Sequence, residues 1–294
     1  MPSFETSTIQ FFLRSFRFKY IIEKRIADGS LKREPAKPMK KLFRKFSIEE
    51  FTLLGRCVWA VAQKISEPHF VVLFLHGGEY VGNVSKQHWD LVGELVDKLN
   101  ALVVVPDYPL APENTWRETY EFVDKLYGML LEKYSGKKFV FIGDSAGGGL
   151  ALGFVQKLRD ENGKLPEHIV LFSPWVDVSM ENPEIANVES KDMILTVKGL
   201  KAAAEKYAAG LDLKDWHVSP IYGDFTGLCP VSIFTGTHDI LNPDAQKLSD
   251  KLKEQGVLCN YFEYDGLFHD WVILTFLRES KDVFEKLKNI LSEQ

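Results

Sequence analysis

The chain has 294 residues, of which 45% are hydrophobic and 26% are charged, and its net charge at neutral pH is −5. This length suits one large α/β domain with a sizeable core or two small domains, and the composition is that of an ordinary globular protein. The acidic balance argues against a nucleic-acid partner. The three cysteines are odd in number and widely spaced, so they predict neither a disulfide framework nor a zinc site and favour a reducing compartment.

The first 46 residues are basic and aromatic. They hold 12 Lys and Arg against 4 Asp and Glu, a net of +8, which leaves −13 for the remainder. This segment either covers an apolar cleft of its own chain or lies on a membrane surface, and its scattered apolar positions favour the cleft. No run approaches the roughly 18 apolar residues of a membrane span, and no signal peptide is evident, so we expect a cytoplasmic protein.

Short apolar runs alternate with helical patterns along the rest of the chain. The predicted strands are 46–54, 57–62, 69–75, 101–105, 138–142, 168–172, 231–235 and 260–264. The predicted helices are 85–100, 113–134, one beginning after residue 145, 187–209, 242–255 and 280–291. Continuous apolar strands separated by helices predict a mostly parallel sheet with helices on both faces, and the first two strands predict an antiparallel hairpin at its edge.

A long insertion breaks this alternation. Fifty-eight residues separate the strand that ends at Phe172 from the strand that begins at Val231, far more than a simple crossover needs. We expect about 175–228 to form a helical cap together with about 1–46, over the carboxyl edge of the sheet. No inter-domain linker is evident, so residues 1–294 are predicted to form a single domain.

A serine motif lies between the strand at 138–142 and the helix that follows it. Residues 143–147 read Gly-Asp-Ser-Ala-Gly, the pattern G-x-S-x-G. A serine on such a strand-turn-helix corner is typical of the nucleophile elbow of α/β-hydrolases, because the sharp turn pushes the hydroxyl out of the sheet. Ser145 is therefore the predicted nucleophile.

A serine hydroxyl needs a general base, and that base needs an orienting carboxylate. His269 follows the last predicted strand, and Asp239 follows the strand before it, so both belong to the carboxyl edge of the sheet. The order Ser145, Asp239, His269 is the order in which α/β-hydrolases carry their triad. His238 remains a rival base and Asp244 a rival acid, although Asp244 follows Pro243 and its position favours a role in the first turn of a helix.

A glycine-rich loop follows the strand at 69–75. Residues 76–80 read His-Gly-Gly-Glu-Tyr. A loop of this kind places backbone N–H groups over the elbow, where they bind the oxyanion of an acyl-transfer reaction. The predicted oxyanion site consists of Gly77, Gly78 and Glu79 together with Ala146, the residue after the nucleophile.

Together these motifs resemble the hormone-sensitive-lipase-like esterases, an α/β-hydrolase family, over about residues 70–275. The family pattern Gly-Asp-Ser-Ala-Gly matches at every position, and Asp-Tyr-Pro-Leu-Ala-Pro-Glu at 107–113 is similar to another family segment. The resemblance implies hydrolysis of carboxylic esters, no cofactor and a cap, and it places the acid and base on Asp239 and His269. Glu79 departs from the family's third glycine, and we expect its side chain to turn toward solvent or a basic partner in the N-terminal segment. Ile240 departs from the proline that often follows the acid.

The sequence therefore predicts a serine carboxylesterase that hydrolyses short- to medium-chain carboxylic esters through an acyl-enzyme, with neither cofactor nor metal. The alternatives are a lipase or lipid deacetylase at a membrane surface, an acyltransferase or amidase, and a non-catalytic receptor for a small ligand on the same fold. The expected partner is a small ester, membrane contact is not favoured, and the chain is expected to be a monomer or a homodimer.

Overall fold

An eight-stranded sheet runs through the computed structural model, which describes residues 2–31 and 34–292. The strands are β1 (Ser47–Leu53), β2 (Arg56–Ala62), β3 (Phe70–Leu75), β4 (Leu102–Pro106), β5 (Lys138–Asp144), β6 (His168–Phe172), β7 (Val231–Gly236) and β8 (Cys259–Tyr264). Their order across the sheet is β1-β2-β4-β3-β5-β6-β7-β8. Strand β2 is antiparallel to β1 and β4, and every other neighbouring pair is parallel. The predicted mostly parallel sheet and its edge hairpin are confirmed.

The described helices connect and cover these strands. They are α1 (Phe4–Ser15), α2 (Phe18–Asp28), α3 (Lys40–Lys45), α4 (Lys86–Leu99), α5 (Trp116–Lys133), α6 (Ala146–Asp160), α7 (Val197–Ala208), α8 (Asn242–Glu254) and α9 (Arg278–Ser292). Ser85 and Thr115 begin α4 and α5 with capping boxes, in which the side chain three residues later returns a hydrogen bond to the cap backbone. Local sequence therefore determines where these two helices begin.

Two apolar cores lie on opposite faces of the sheet. Along β3, Val71 and Leu73 belong to one core, whereas Val72 and Phe74 belong to the other. Helices α5, α6 and α8 contribute to the first core, and α4 and α9 to the second. Because successive side chains of a strand point to opposite faces, a strand that is covered on both sides must be apolar throughout.

The predicted helix at 187–209 is wrong over its first half. Only α7 forms a helix there, preceded by a 3₁₀ turn at Pro183–Asn187 and irregular chain. Asp192 accepts hydrogen bonds from the backbone N–H groups of Ile194 and Leu195, at 2.7 and 2.8 Å, and Thr196 caps α7. These side-chain bonds satisfy backbone donors outside a helix, which is why the helical pattern of the sequence does not extend through this stretch.

The N-terminal helices are tied to distant parts of the chain. The backbone N–H of Ser3 donates to Glu279 at the start of α9, and the side chain of Gln10 donates to the carbonyl of Gly266. Lys206 of α7 donates to the carbonyl of Ile26 in α2. The segment that contains α1 and α2 thus contacts α9 and the loop after β8 at one end and α7 at the other. Within residues 2–31 and 34–292, every helix is too short or too polar to cross a bilayer.

Candidate active site

Ser145 occupies the corner between β5 and α6. Its backbone adopts φ 50° and ψ −120°, a conformation that a non-glycine residue rarely holds. Its N–H donates to the carbonyl of Phe172 at 2.9 Å, and its own carbonyl accepts from the N–H of Trp175. The elbow also presses against β3, since a Cβ on Gly147 would lie 1.9 Å from the carbonyl oxygen of Leu75. The predicted strand-turn-helix corner is therefore present, and its neighbours maintain it.

The three residues expected at the carboxyl edge of the sheet lie in contact. The Oγ atom of Ser145 is 3.0 Å from Nε2 of His269, and the Nδ1 atom of that histidine is 3.0 Å from Oδ2 of Asp239. The other carboxylate oxygen of Asp239 accepts from the N–H of Leu241 at 2.9 Å. All three catalytic candidates are buried. The structure thus joins residues that are 124 and 30 positions apart in the sequence.

Neither rival residue joins this chain of contacts. The backbone N–H of His238 donates to the carbonyl of Leu267. Among the described residues, the histidine that contacts the hydroxyl of Ser145 is His269, not His238. Asp244 lies in the first turn of α8, where its carboxylate accepts from the side chain of Asn182 at 2.8 Å. The geometry therefore favours Asp239 and His269.

The loop after β3 lies beside the elbow. Gly78 adopts φ 123°, and a Cβ there would lie 2.5 Å from the carbonyl oxygen of Gly82. The backbone N–H of Gly77 lies beside the carboxylate of Asp144 and helps to lower the pKa of that carboxyl group. Among the described residues, the N–H groups of Gly78, Glu79 and Ala146 have no protein acceptor. Those three groups remain available to an oxyanion.

The expectation that the Glu79 side chain turns away from the site is wrong. Glu79 lines the pocket beside Ser145, and burial raises the pKa of its carboxyl group. The charges that act on it come from His269 and Asp144, not from a basic residue of the N-terminal helices. Its backbone has φ 52°, which costs a non-glycine residue about 1–2 kcal/mol.

A family model described as alpha/beta hydrolase fold matches residues 72–273, which include most of β3, all of β4 to β8 and the three contacting residues. The chain belongs to this α/β-hydrolase family. The match covers more than half of the chain, and it confirms the fold that the sequence predicts.

Several proteins similar to this α/β-hydrolase are named as ester hydrolases. It is 32% identical over 219 residues to an acetyl-hydrolase of Streptomyces hygroscopicus, which covers 74% of this chain and 73% of that protein. The crystal structure of EstE5 soaked with p-nitrophenyl butyrate has a TM-score of 0.84 at 26% identity, covering 99% and 98% of the two chains. An esterase of the bacterial hormone-sensitive lipase family shares the fold, with a TM-score of 0.84 at 24% identity over 100% and 99% of the chains. The predicted class, carboxylic ester hydrolase, is confirmed.

A buried ion pair that sequence reasoning missed lies close to the loop after β3 in this hydrolase. The Oδ2 atom of Asp144 is 3.0 Å from Nε2 of His88, and both side chains are buried. Burial alone would raise the pKa of Asp144, but the charge and hydrogen bond of His88 lower it. Burial likewise disfavours charged His88, but Asp144 raises its pKa above the ordinary value of 6.5. Because His88 is 56 positions from Asp144, no local pattern predicts their contact.

A second missed carboxylate adjoins the candidate base. The Oδ2 atom of Asp270 lies 3.0 Å from Nε2 of His269, while its Oδ1 atom is buried and has no hydrogen-bond partner among the described residues. Burial raises the pKa of Asp270 to about 7, although the charge of His269 opposes this shift. Burial also works against a charged His269, yet Asp270 and Asp239 together raise its pKa well above the ordinary value.

Asp192 is a third residue that the sequence did not single out. Its Oδ2 atom accepts from the N–H of Ile240 at 2.9 Å, while Oδ1 holds the turn that precedes α7. Burial and the neighbouring Asp239 raise the pKa of Asp192 to about 6. This carboxyl group thus links the loop that carries Asp239 to the long insertion between β6 and β7.

A cavity of about 500 Å³ opens beside Ser145. Its apolar lining comes from three regions: the N-terminal helices (Ile9, Leu13 and Phe18), the insertion before α7 (Ile194) and the chain after β8 (Phe268, Ile273, Leu274 and Phe276). The remaining lining consists of Gln87 and of residues described above: Gly78, Glu79, His88, Asp144, Ser145, His269 and Asp270. Within the described residues, no cluster of three or more His, Cys, Asp or Glu has an arrangement that could hold a metal ion.

Proposed function

We propose that this protein is a serine carboxylesterase that hydrolyses short- to medium-chain carboxylic esters through an acyl-enzyme. The observation that carries the proposal is the chain of two 3.0 Å contacts from Ser145 through His269 to Asp239. A nucleophile, a base and an orienting acid in mutual contact are the machinery of acyl transfer. The contact of all three groups also argues against a receptor without catalysis.

In the proposed reaction, Ser145 attacks the ester carbonyl while His269 takes its proton. Asp239 holds the imidazole and stabilises the imidazolium. The N–H groups of Gly78, Glu79 and Ala146 bind the oxyanion. His269 then gives its proton to the departing alcohol, and an acyl-enzyme remains on the serine. Water attacks this ester with the same base and releases the acid.

The pocket supports the proposed range of substrates. Its volume of about 500 Å³ is that of a small-molecule site, and its walls are mainly apolar. An acyl chain would therefore be desolvated beside Ser145, whereas a charged acyl group would meet the carboxyl groups of Glu79 and Asp270. An acetyl-hydrolase among the relatives is consistent with short acyl groups.

We further infer that about 1–46 and about 175–228 act as a cap on the single domain of this hydrolase. Ile9 and Leu13 of α1 line the pocket from the N-terminal part, and Ile194 lines it from the insertion. The two parts also contact each other, since Glu23 of α2 accepts a hydrogen bond from Thr196 at 3.0 Å. A cap of this composition would select substrates through the shape of its apolar wall.

Initial rates on p-nitrophenyl esters from acetate to palmitate test the proposed function. We expect the highest kcat/KM on the short and medium chains and a steep fall toward palmitate. Ser145→Ala is the blank and should lose at least about 10⁴-fold in kcat. Circular dichroism of this variant must match that of the wild type. Full activity in a folded Ser145→Ala protein would overturn the proposal.

A further inference from the structure

The exposed apolar side chains of this protein are concentrated on two helices. Eleven large apolar residues are exposed in the described part of the chain, and six of them lie on α1, on α2 or, for Phe16, in the turn between these helices. These six, which we call the aromatic face, are Phe4, Phe11, Phe12, Phe16, Tyr20 and Ile21. Single exposed apolar residues are common on protein surfaces, but a concentration of aromatic rings marks a surface that contacts something.

The two sides of α1 differ in their contacts. Thr6, Ile9 and Leu13 repeat at intervals of three and four residues and face the protein, since Thr6 is buried and the other two line the pocket. On the outer side, Phe12 stacks on Phe16 with ring centroids 6.4 Å apart. Phe16 remains 69% exposed despite this contact. The outer rings are therefore not part of the cap's attachment to the rest of the fold.

Positive charges are interleaved with the aromatic face. A shallow surface groove of about 440 Å³ lies on the outside of the α1–α2 corner. Its lining consists of Phe16, Arg17, Tyr20, Ile21, Lys24, Arg25, Ser30 and a single carboxylate, Asp28. The whole segment 1–46 carries a net charge of +8 in a protein whose overall charge is −5. The face thus combines apolar rings with a local excess of cations.

We propose that the aromatic face docks on an anionic lipid surface. Aromatic rings enter the boundary between headgroups and acyl chains, and Lys and Arg beside them attract acidic headgroups by about 1 kcal/mol each. A second copy of this chain fits less well, because a two-fold dimer through this face would bring two positive surfaces together. The proposal concerns binding and does not depend on the proposed esterase chemistry.

Docking in this way would bring the active-site pocket close to the lipid. The inner side of α1 lines the pocket, and the outer side carries the aromatic face, so the two are separated by about 10 Å, the width of one helix. Phe276, which is 58% exposed, also lines the pocket. Esters that partition into a membrane would thereby be concentrated beside Ser145.

Co-sedimentation of the full chain with lipid vesicles tests the proposal. The vesicles contain phosphatidylcholine alone or with roughly 30 mol% phosphatidylserine, at about 0.1 M salt. We expect at least tenfold stronger partitioning onto the anionic vesicles. Replacing two cations by Lys24→Ala with Arg25→Ala should weaken this binding about 30-fold. Replacing two rings by Phe12→Ala with Phe16→Ala should weaken it at least tenfold.

The matched control removes two exposed apolar residues outside the aromatic face, Leu54→Ala with Leu258→Ala. This variant should bind vesicles as the wild type does, and the three double variants should keep their hydrolysis of soluble p-nitrophenyl acetate. Ser145→Ala should also bind fully, which separates failure of docking from failure of the proposed function. Equal binding to neutral and anionic vesicles would overturn the proposal. An equal loss of vesicle binding in the Leu54→Ala with Leu258→Ala control would also overturn it. The same holds if the wild type is a dimer and Phe12→Ala with Phe16→Ala dissociates that dimer.

Discussion

The Oδ2 atom of Asp270 lies 3.0 Å from Nε2 of His269, and the hydroxyl oxygen of Ser145 lies 3.0 Å from the same nitrogen. A buried carboxyl group and the candidate nucleophile therefore compete for one ring nitrogen. When Asp270 is ionised, it stabilises the protonated imidazole, which cannot accept a proton from the serine. The ionisation state of Asp270 is thus expected to influence how much active base is present.

Asp270→Asn should move the acidic limb of the kcat/KM profile to lower pH. His269 acts as a base only when it is neutral, so activity falls as pH drops through its pKa. Ionised Asp270 raises that pKa, and asparagine cannot ionise, so the neutral base should persist to lower pH in the variant. Rates on p-nitrophenyl acetate from about pH 5 to 9 measure the shift around the carboxyl pKa of about 7.

The control for this profile is Asp250→Asn, which removes an exposed carboxylate from α8. Its acidic limb should coincide with that of the wild type. An unshifted limb in a folded Asp270→Asn protein would show that this carboxyl group does not affect the base.

Asp239→Asn should lower kcat about 10⁴-fold while the protein remains folded, because asparagine holds the imidazole in the wrong tautomer. Asp244→Asn is the matched comparison, since Asp244 is also buried but bonds to Asn182 instead of His269. We expect Asp244→Asn to retain most of its activity. Steady-state kinetics of both variants distinguish the two carboxylates, and a larger loss in Asp244→Asn would reverse the assignment.

Gly78→Ala should lower kcat about 10²- to 10³-fold, the loss expected when an oxyanion donor is misplaced. The new Cβ would lie 2.5 Å from the carbonyl oxygen of Gly82, and φ 123° is unfavourable for alanine. Gly128→Ala in α5 is the control, because a Cβ there meets nothing within 4 Å. That variant should keep full activity and gain up to about 1 kcal/mol of stability. Equal kinetics for the two variants would count against an oxyanion role for Gly78.

His88→Gln should lower the free energy of unfolding by about 3–5 kcal/mol at neutral pH, because it leaves the Asp144 carboxylate buried without a cation. His217→Gln is the comparison, since the Nδ1 atom of His217 lies 2.7 Å from Asp215 but both side chains are about 30% exposed. This partly solvated pair should contribute at most about 1 kcal/mol. Urea unfolding of both variants measures the difference.

The pH dependence of the His88→Gln effect follows from the two pKa shifts. The folded pKa of His88 is raised, so its contribution is full below the unfolded value of 6.5 and disappears as pH rises through the folded value. The folded pKa of Asp144 is lowered, so its contribution is present above 3.8 and is lost as pH falls through the folded value. The loss of unfolding free energy in His88→Gln should therefore be largest between about pH 4 and 6.5, and it should shrink at alkaline pH. A deficit independent of pH would show that the ion pair is not its cause.

Much of the framework could be predicted because it depends on local patterns. Apolar runs and helical spacing identified the eight strands, and β6 agrees with its prediction at both ends. The helix predicted at 187–209 failed because Asp192 satisfies backbone donors in a turn, a contact that periodicity does not describe. Glu79 was expected to point outward because a carboxylate facing an oxyanion would oppose it electrostatically, and its position in the pocket lining depends on tertiary packing.

The sequence by itself determined the residues that the chemistry needs and the order in which they occur. Ser145, Asp239 and His269 each follow a predicted strand, and parallel strands bring their carboxyl ends to one edge of a sheet. Only the tertiary structure decided the electrostatics around them. Asp270 adjoins His269 in the sequence, but its pKa depends first on burial, then on the charge of His269 and on the charges of Asp144 in β5 and Asp239 after β7. Desolvation and charge proximity arise only when distant segments pack together, and a linear sequence does not contain them.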